Sequence, residues 1–338
     1  MSNVVVTGGY GFIGSHLVTA LLQRGDHVTI FDFAKNAHDT SIDFDGHPNF
    51  RFVQGDVTDL ASLGNALTPE VDTVFHLAAV VGVKNYMNDP LQVLDVNVIG
   101  TRNVLELSWR NRIRVVFAST SEVFGKNPNP PWGEDHDRVL GSSKTARWSY
   151  STSKGMAEHL VFAMHAAYGL PVTVVRYFNV YGPRQNPIFV VSQSVHRILN
   201  GRQPLLYDSG DQTRCFTYVD DAVAGTLLAA DNDAAIGEAF NVGSMVETTM
   251  REVVDLAIKI ANVDNVTSAK TIDTTAQFGG LYEDIPRRIP DSAKAQRLLG
   301  WRLKVDVEEG VRRTIEWARA NPWYLSPRVG EGQSQDSQ

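Results

Sequence analysis

Cysteine is nearly absent from this chain. Cys215 is the single one among 338 residues, so no intramolecular disulfide can form and a secreted, disulfide-built scaffold is excluded. A reducing, cytoplasmic location is the expectation. Excess positive charge is missing too: 31 Lys and Arg face 38 Asp and Glu, a net charge of −7. A sequence-independent nucleic-acid binder needs the reverse balance, so no nucleic-acid partner is expected. No apolar run approaches the roughly eighteen residues needed to cross a bilayer. Residues 1–7 enter an apolar segment without the basic stretch, long apolar region or cleavage site of a signal peptide. No membrane partner is expected. Nor do His, Cys and Asp fall at metal-ligand spacings, so no metal is assigned. With 43% hydrophobic and 20% charged residues, the composition is that of an ordinary globular protein with a sizeable core.

Short β-branched runs recur along the first half: Val4-Val5-Val6, Val28-Thr29-Ile30-Phe31, Phe50-Arg51-Phe52-Val53, Thr73-Val74-Phe75, Val115-Val116-Phe117 and Val172-Thr173-Val174-Val175. Longer segments of helical spacing separate them. Continuous apolar strands alternating with helices predict an α/β fold, a Rossmann-type doubly wound parallel sheet covered on both faces. The expected apolar helix faces are Leu17, Ala20 and Leu21, then Val98, Val104, Leu105 and Leu107, then Met156, Leu160, Ala163 and Met164. Gly25 is the expected stop of the first helix. After about residue 180, Pro, Gly, Asp and Asn become frequent. Residues 1–180 therefore read as one domain and 181–325 as a smaller substrate-binding lobe, with Phe240-Asn241-Val242 expected to rejoin the main sheet. Residues 326–338 are polar and Gly/Ser/Gln-rich, the composition of a disordered tail.

Strand Val4-Val5-Val6 runs into Thr7-Gly8-Gly9-Tyr10-Gly11-Phe12-Ile13-Gly14 and then a helix. Glycines at this spacing permit a sharp turn, close backbone approach to a pyrophosphate and tight helix–strand contact, with the helix N-terminus facing the anion. Gly8, Gly11, Phe12, Ile13 and Gly14 are the cofactor residues this assigns. Asp32 ends the next strand, where a carboxylate binds the adenosine ribose hydroxyls and repels a 2′-phosphate, so NAD is expected over NADP. Asp56 and Val57 follow the third strand and Leu77, Ala78 and Ala79 the fourth. Each set fits beside the cofactor, and each also reads as a plain strand-ending loop.

Tyr150 and Lys154 are four residues apart, hence on one face of a helix. A tyrosine acts as a base near neutral pH only if nearby cations stabilise its phenolate; Lys154 and an oxidised nicotinamide would supply that charge. Ser119-Thr120-Ser121-Glu122 follows the fifth strand, placing a hydroxyl where it can share the substrate hydroxyl with Tyr150. His76 reads as a packed histidine rather than a base, and Cys215 as a buried small side chain.

These motifs, with Arg176-Tyr177-Phe178-Asn179-Val180-Tyr181-Gly182-Pro183-Arg184 and Gln212-Thr213-Arg214-Cys215-Phe216, resemble the extended short-chain dehydrogenase/reductase family, in its nucleotide-sugar epimerase, dehydratase and decarboxylase branch. The resemblance implies an NAD-dependent enzyme with Tyr150 and Lys154 at its centre and a homodimeric assembly. Thr120-Ser121-Glu122 lacks the aspartate of the 4,6-dehydratase pattern and looks like the UDP-glucuronate decarboxylases, as do Arg147-Trp148-Ser149-Tyr150 and Arg287-Arg288-Ile289-Pro290-Asp291.

That likeness implies the following reaction. UDP- or dTDP-glucuronate is oxidised at carbon 4 and decarboxylated through the 4-keto-uronate to a xylose-type pentose nucleotide, its 4-keto form, or both. Thr120, Glu122, Tyr150, Lys154 and Arg288 are the implied catalytic residues, Glu122 orienting the carboxylate or handling a proton near carbon 5. Ser121, Asn179, Arg214 and Arg288 are the implied substrate contacts, the last three at the diphosphate. Tyr207 reads equally as a residue beside the base or a core aromatic. A nucleotide-uronate or nucleotide-hexose 4-epimerase is the competing reading, although residues 185–190 lack the arginine that would grip a carboxylate. A non-catalytic NAD-binding sensor is a third.

Overall fold

Each apolar run of the first half is a strand of one sheet: β1 (Asn3–Thr7), β2 (His27–Asp32), β3 (Phe50–Gln54), β4 (Thr73–His76), β5 (Arg114–Thr120) and β6 (Val172–Tyr177). The structure is a computed structural model that describes residues 1–35, 43–273 and 285–326. From residue 327 on, the expected tail lies outside the described residues. Shorter strands follow: β7 (Val180–Tyr181), β8 (Leu205–Tyr207), β9 (Thr213–Arg214), β10 (Thr217–Tyr218), β11 (Glu238–Val242), β12 (Thr248–Thr249), β13 (Lys270–Ile272) and β14 (Arg287–Arg288). The main sheet has the order β3-β2-β1-β4-β5-β6-β11 and every pair in it is parallel. Phe240-Asn241-Val242 does rejoin it, in β11 beside β6.

Both faces are covered, which is why the strands read as continuously apolar rather than alternating. Val4 and Val6 of β1 pack with Leu17 and Leu21 of α1 (Phe12–Gln23). Val5 points to the other face, with Val74 and Val115 and with Val104 and Leu105 of a later helix. Each such side chain, fully removed from water, contributes about 1.5–3 kcal/mol. α1 ends as expected: Gly25 follows its cap with φ +89°, a left-handed turn that glycine adopts without strain.

The helices that shape the site come next. α2 (Leu60–Gly64), α3 (Val83–Asn88) and α4 (Pro90–Leu94) are short, and a π-helical turn over Asp95–Ile99 leads into α5 (Gly100–Asn111). α5 buries Val104, Leu105 and Leu107 as read, while Val98 is half-buried in the π turn. α6 (Arg147–Tyr168) corrects the sequence reading of its face. Met156 and Ala163 are exposed, and the buried stripe is Tyr150, Ser153, Lys154, Ala157, Glu158, Val161 and Met164. A count of apolar residues misses this stripe because its middle is polar.

α7 (Val190–Leu199) packs on α9 (Met250–Ala261), while α8 (Val219–Asp231) lies against α1 and β6, so residues 219–242 return to the main sheet. The β5–α6 loop is stitched to the chain around β14: Trp132 N donates to Ile289 O at 2.8 Å and Asp291 N to Trp132 O at 2.8 Å. A small core of Val123, Phe124, Trp132, Trp148, Phe178 and Ile285 backs this junction.

Candidate active site

The strand order reverses at β1, whose neighbours are β2 and β4. A crevice outside the carboxyl ends of the strands opens at such a switch point, and ligands of doubly wound sheets bind there. The glycine loop fills one wall of it. Gly8 has φ +71°, and a Cβ on it would stand 2.7 Å from Ala78 N. A Cβ on Gly14 would stand 2.2 Å from Gly8 O. The loop thus tolerates no side chains at these positions, and it keeps the backbone ahead of Phe12 and Ile13 bare for an anion. Asp32 accepts from Tyr10 N at 3.0 Å and from Phe33 N at 2.8 Å, which fixes its carboxylate beside the loop.

Leu77, Ala78 and Ala79 leave the end of β4 half-buried, with Leu77 N bonded to Thr7 O. Val57 is 5% exposed and packs so closely on Gly100 that a Cβ there would meet its Cγ2 at 2.5 Å. Asp56 is exposed, and its Oδ1 accepts from the backbone and hydroxyl of Thr58. The residues present fit a dinucleotide: a bare glycine cradle at a helix N-terminus with a fixed carboxylate at the end of β2.

On the other wall, Tyr150 and Lys154 are both buried. Lys154 Nζ donates to Ala118 O at 2.8 Å and lies 4.8 Å from the centroid of the Phe117 ring. Burial pulls its pKa down to about 8, against the opposing pull of Glu158. Burial raises the Tyr150 phenol well above its ordinary value, and the Glu122 charge adds to this, while hydrogen bonding with Thr120 and the charge of Arg288 oppose it. Tyr150 is therefore a neutral phenol in the bare site. Ser153, between the two, donates to Tyr150 O at 2.8 Å and receives a bond from Asn97 Nδ2 at 3.0 Å. Asn97 sits in the π turn and accepts from Val80 N at 3.0 Å, so the turn ties α6 to the loop after β4.

His76 is a packed residue as read. It lies between the hydroxyls of Thr7 and Thr101, and burial drops its pKa to about 3. Cys215 is fully buried, and burial pushes its thiol up to about 12.

The charged centre of the site is Glu122. Its Oε1 accepts from Arg288 Nη1 at 2.8 Å, and its Oε2 from Arg147 Nη1 at 3.1 Å and Ser151 Oγ at 3.4 Å. Burial alone would push its pKa up, but Arg288 and Arg147 together outweigh it and hold the carboxyl at about 2. Glu122 is therefore an ionised acceptor of both guanidiniums. Arg288 Nε is buried without a partner among the described residues.

Arg288 and Arg214 are paired in register on the parallel strands β14 and β9, which puts both side chains on the same face. Arg214 Nη1 donates to Thr213 O at 2.8 Å. Asn179 has φ +40°, and its Nδ2 is buried without a partner among the described residues. Tyr207 is half-buried on β8 beside β13, a placement compatible with both readings made of it. Ser121 is buried at the start of the turn that carries Glu122.

Sequence reasoning assigned no role to Arg147, Tyr86, Asn97 or the pair Glu158–Arg176. Glu158 accepts from Arg176 Nε at 2.9 Å, Arg176 Nη2 at 2.8 Å and Ser119 Oγ at 2.6 Å. For Arg147 a signal existed: it precedes Tyr150 by three residues, one helical turn. Tyr86 gave none, lying in a six-residue helix within a loop.

A glycine-looped doubly wound sheet facing a buried Tyr-x-x-x-Lys pair defines a dinucleotide-dependent enzyme of the short-chain dehydrogenase/reductase class. The particular family follows from comparison with known proteins. The family model described as GDP-mannose 4,6 dehydratase matches residues 5–314, and the chain belongs to that family. It is 39% identical over 323 residues to a UDP-N-acetyl-alpha-D-glucosaminuronate decarboxylase of Bacillus cytotoxicus, covering 93% of this chain and 97% of the relative. It is 35% identical over 322 residues to UDP-glucuronic acid decarboxylase 1 of Xenopus tropicalis, covering 94% of this chain and 72% of that one. Among solved structures, UDP-glucuronic acid 4-epimerase of Bacillus cereus, in complex with UDP-glucuronic acid and NAD, superimposes with a TM-score of 0.82 at 27% identity, covering 94% of this chain and 99% of that one. The dTDP-glucose 4,6-dehydratase of Bacillus anthracis, in complex with NAD, gives 0.83 at 27% identity, covering 96% and 100%.

Proposed function

We propose that the chain is an NAD-dependent nucleotide-sugar decarboxylase that converts UDP- or dTDP-glucuronate to a xylose-type pentose nucleotide, its 4-keto form, or both, with release of carbon dioxide. The observation that carries this is the triad Arg147–Glu122–Arg288. The buried Nε donor of Arg288, unpartnered among the described residues, favours an anionic sugar, because a buried donor left unsatisfied is costly and a carboxylate is its strongest acceptor. A neutral hexose offers it only hydroxyl acceptors, which are weaker than a carboxylate. The decarboxylase relatives support the same reading.

Bound NAD supplies the hydride acceptor, and later the donor, for carbon 4 of the sugar. Tyr150 takes the proton of the 4-hydroxyl, and Thr120 shares the hydrogen bond. Burial opposes the phenolate, so Tyr150 acts only when nearby cationic charge offsets that burial; Lys154 and Arg288 are the chain's own contributions. Oxidation leaves the carboxylate β to a ketone. The bond from carbon 5 to the carboxylate then breaks, carbon dioxide departs, and the electron pair moves into an enolate whose oxygen faces the reprotonated Tyr150 phenol; a proton from water on carbon 5 gives the 4-keto pentose, and on its reduction Tyr150 returns its proton to the 4-oxygen. Glu122 keeps Arg288 directed at the carboxylate position. Asn179 and Arg214 hold the diphosphate, and Arg288, which the resemblance places there with them, is assigned to the carboxylate instead because of its ion pair with Glu122.

The 4-epimerase reading keeps one support, the structural likeness to the UDP-glucuronic acid 4-epimerase. We further infer a homodimer and a cytoplasmic location. Trp109 of α5 and Tyr168 of α6 are exposed and pack together with ring centroids 4.9 Å apart, an apolar patch suited to a second copy. No helix among the described residues is long and apolar enough to cross a membrane.

The charge argument is tested by supplying the chain and NAD with UDP-glucuronate, UDP-N-acetylglucosaminuronate or UDP-glucose and following consumption by chromatography. A uronate is consumed and UDP-glucose is spared. Equal consumption of UDP-glucose would remove the charge argument.

A further inference from the structure

We propose that Arg147 is a positioning residue that keeps Glu122 in place when Arg288 turns from Glu122 to the carboxylate of the sugar. The proposal rests on the uronate reading above and assigns a task to a side chain that reading leaves idle.

The two arginines on Glu122 are not equivalent. Arg147 opens α6, the helix of Tyr150 and Lys154, and is 1% exposed. Its guanidinium lies 5.3 Å from the centroid of the Trp148 ring, and Trp148 belongs to the aromatic core of Phe124, Trp132 and Phe178. Arg147 is thus built into the same domain as Glu122. Arg288 arrives from the second lobe on a two-residue strand and holds a buried Nε donor with no partner among the described residues. It is the arginine with capacity for another acceptor.

A substrate carboxylate brought to Arg288 competes for it with Glu122. Without a second cation, the loser of that competition would be a buried, uncompensated carboxylate, a costly arrangement that is relieved by taking up a proton. Arg147 removes that outcome. Among the described residues, the groups facing Glu122 are Arg147, Ser151 and Tyr150 from α6, Arg288 from β14 and Tyr86 from α3. Arg147 is the one of these that is both cationic and carried by the same domain. Glu122 then stays a fixed anion, which orients Arg288 before the sugar binds and recaptures it after carbon dioxide leaves.

The test is Arg147→Gln beside Arg147→Lys in the full chain with NAD, with kcat and KM for the consumed uronate measured across pH. NAD affinity and thermal unfolding serve as folding controls. Arg147→Gln is expected to lower kcat about a hundredfold, the scale of a displaced catalytic geometry, and to shift the acid limb of the kcat profile upward. Arg147→Lys keeps the charge, so it recovers part of kcat and leaves the limb unshifted. Glu122→Gln combined with Arg147→Gln is no worse than Glu122→Gln alone, because the two act as a unit. An unshifted limb in Arg147→Gln, or a loss of activity that only follows the folded fraction, overturns the proposal. Should Arg147→Gln not fold, an acid limb that shifts upward in Arg147→Lys, where the charge is kept, overturns it instead. Failure of the wild-type chain to consume any nucleotide uronate is a different result: it removes the uronate reading and this proposal with it.

Discussion

Tyr86 stacks on Tyr150, with ring centroids 5.3 Å apart and planes 14° from parallel. The contact joins a short helix in the loop after β4 to the centre of the site, and both rings are buried with Val93. Tyr150 therefore presents its hydroxyl from a ring that is held on its face as well as at its backbone. The Tyr86 phenol itself stays protonated, raised well above its ordinary value chiefly by burial and then by Glu122 and Tyr150.

Tyr86→Ala is expected to cost about 3 kcal/mol or more of stability, the range for emptying a buried aromatic site, and to lower kcat by loosening Tyr150. Tyr86→Phe keeps the ring pair, worth about 0.5–1.5 kcal/mol beyond area burial. Urea unfolding and kcat on one substrate check both. If Tyr86→Ala retains wild-type kcat, the stack does not position Tyr150.

Asp32 sets the cofactor preference. Its carboxylate is fixed by Tyr10 N and Phe33 N beside the glycine loop, where it repels a 2′-phosphate. Titration of the apo chain should show NAD bound more tightly than NADP, and Asp32→Ala should narrow the gap mainly by weakening NAD. Equal affinities in the wild type contradict this placement.

Lys154 gives a pH signature. Burial lowers its folded pKa from 10.5 to about 8, so between those values the unfolded chain binds more protons and stability rises with pH. Below about pH 8 the cost of the buried charge is fully present. Lys154→Met removes this contribution. The stability difference between wild type and Lys154→Met should therefore shift in favour of the wild type as pH rises from 8 toward 10.5, read by urea unfolding. The buried tyrosines titrate in both proteins and cancel in the difference. A constant difference across that window contradicts a charged, desolvated Lys154.

The central sheet was legible because both its faces are buried: Val4 to Val6 or Val172 to Val175 can be little else than parallel strands between helix layers. The glycine loop and Tyr150/Lys154 were legible because their chemistry depends on local spacing. What escaped was polar burial and long-range pairing. α6 was read on Met156 and Ala163 because its true inner stripe includes Lys154 and Glu158, residues that hydrophobic periodicity scores as solvent-facing. Glu122 and Arg288 were each singled out, but 166 positions separate them, and their ion pair exists only once β14 is stitched to Trp132. Arg147 was visible as a letter in a familiar segment, without its partner. The return of α8 and β11 to the main sheet was half seen, since Phe240-Asn241-Val242 reads as a strand while α8 carries no mark of which sheet it covers.

The most direct measurement follows carbon 6 of the sugar. UDP-glucuronate labelled at that carbon, incubated with the chain and NAD, should release the label as carbon dioxide and leave an unlabelled pentose nucleotide, with or without its 4-keto form. Tyr150→Phe should abolish the release while leaving NAD binding nearly intact. Label retained in a nucleotide sugar of full mass, altered only in configuration at carbon 4, would contradict the decarboxylase assignment and establish the epimerase in its place.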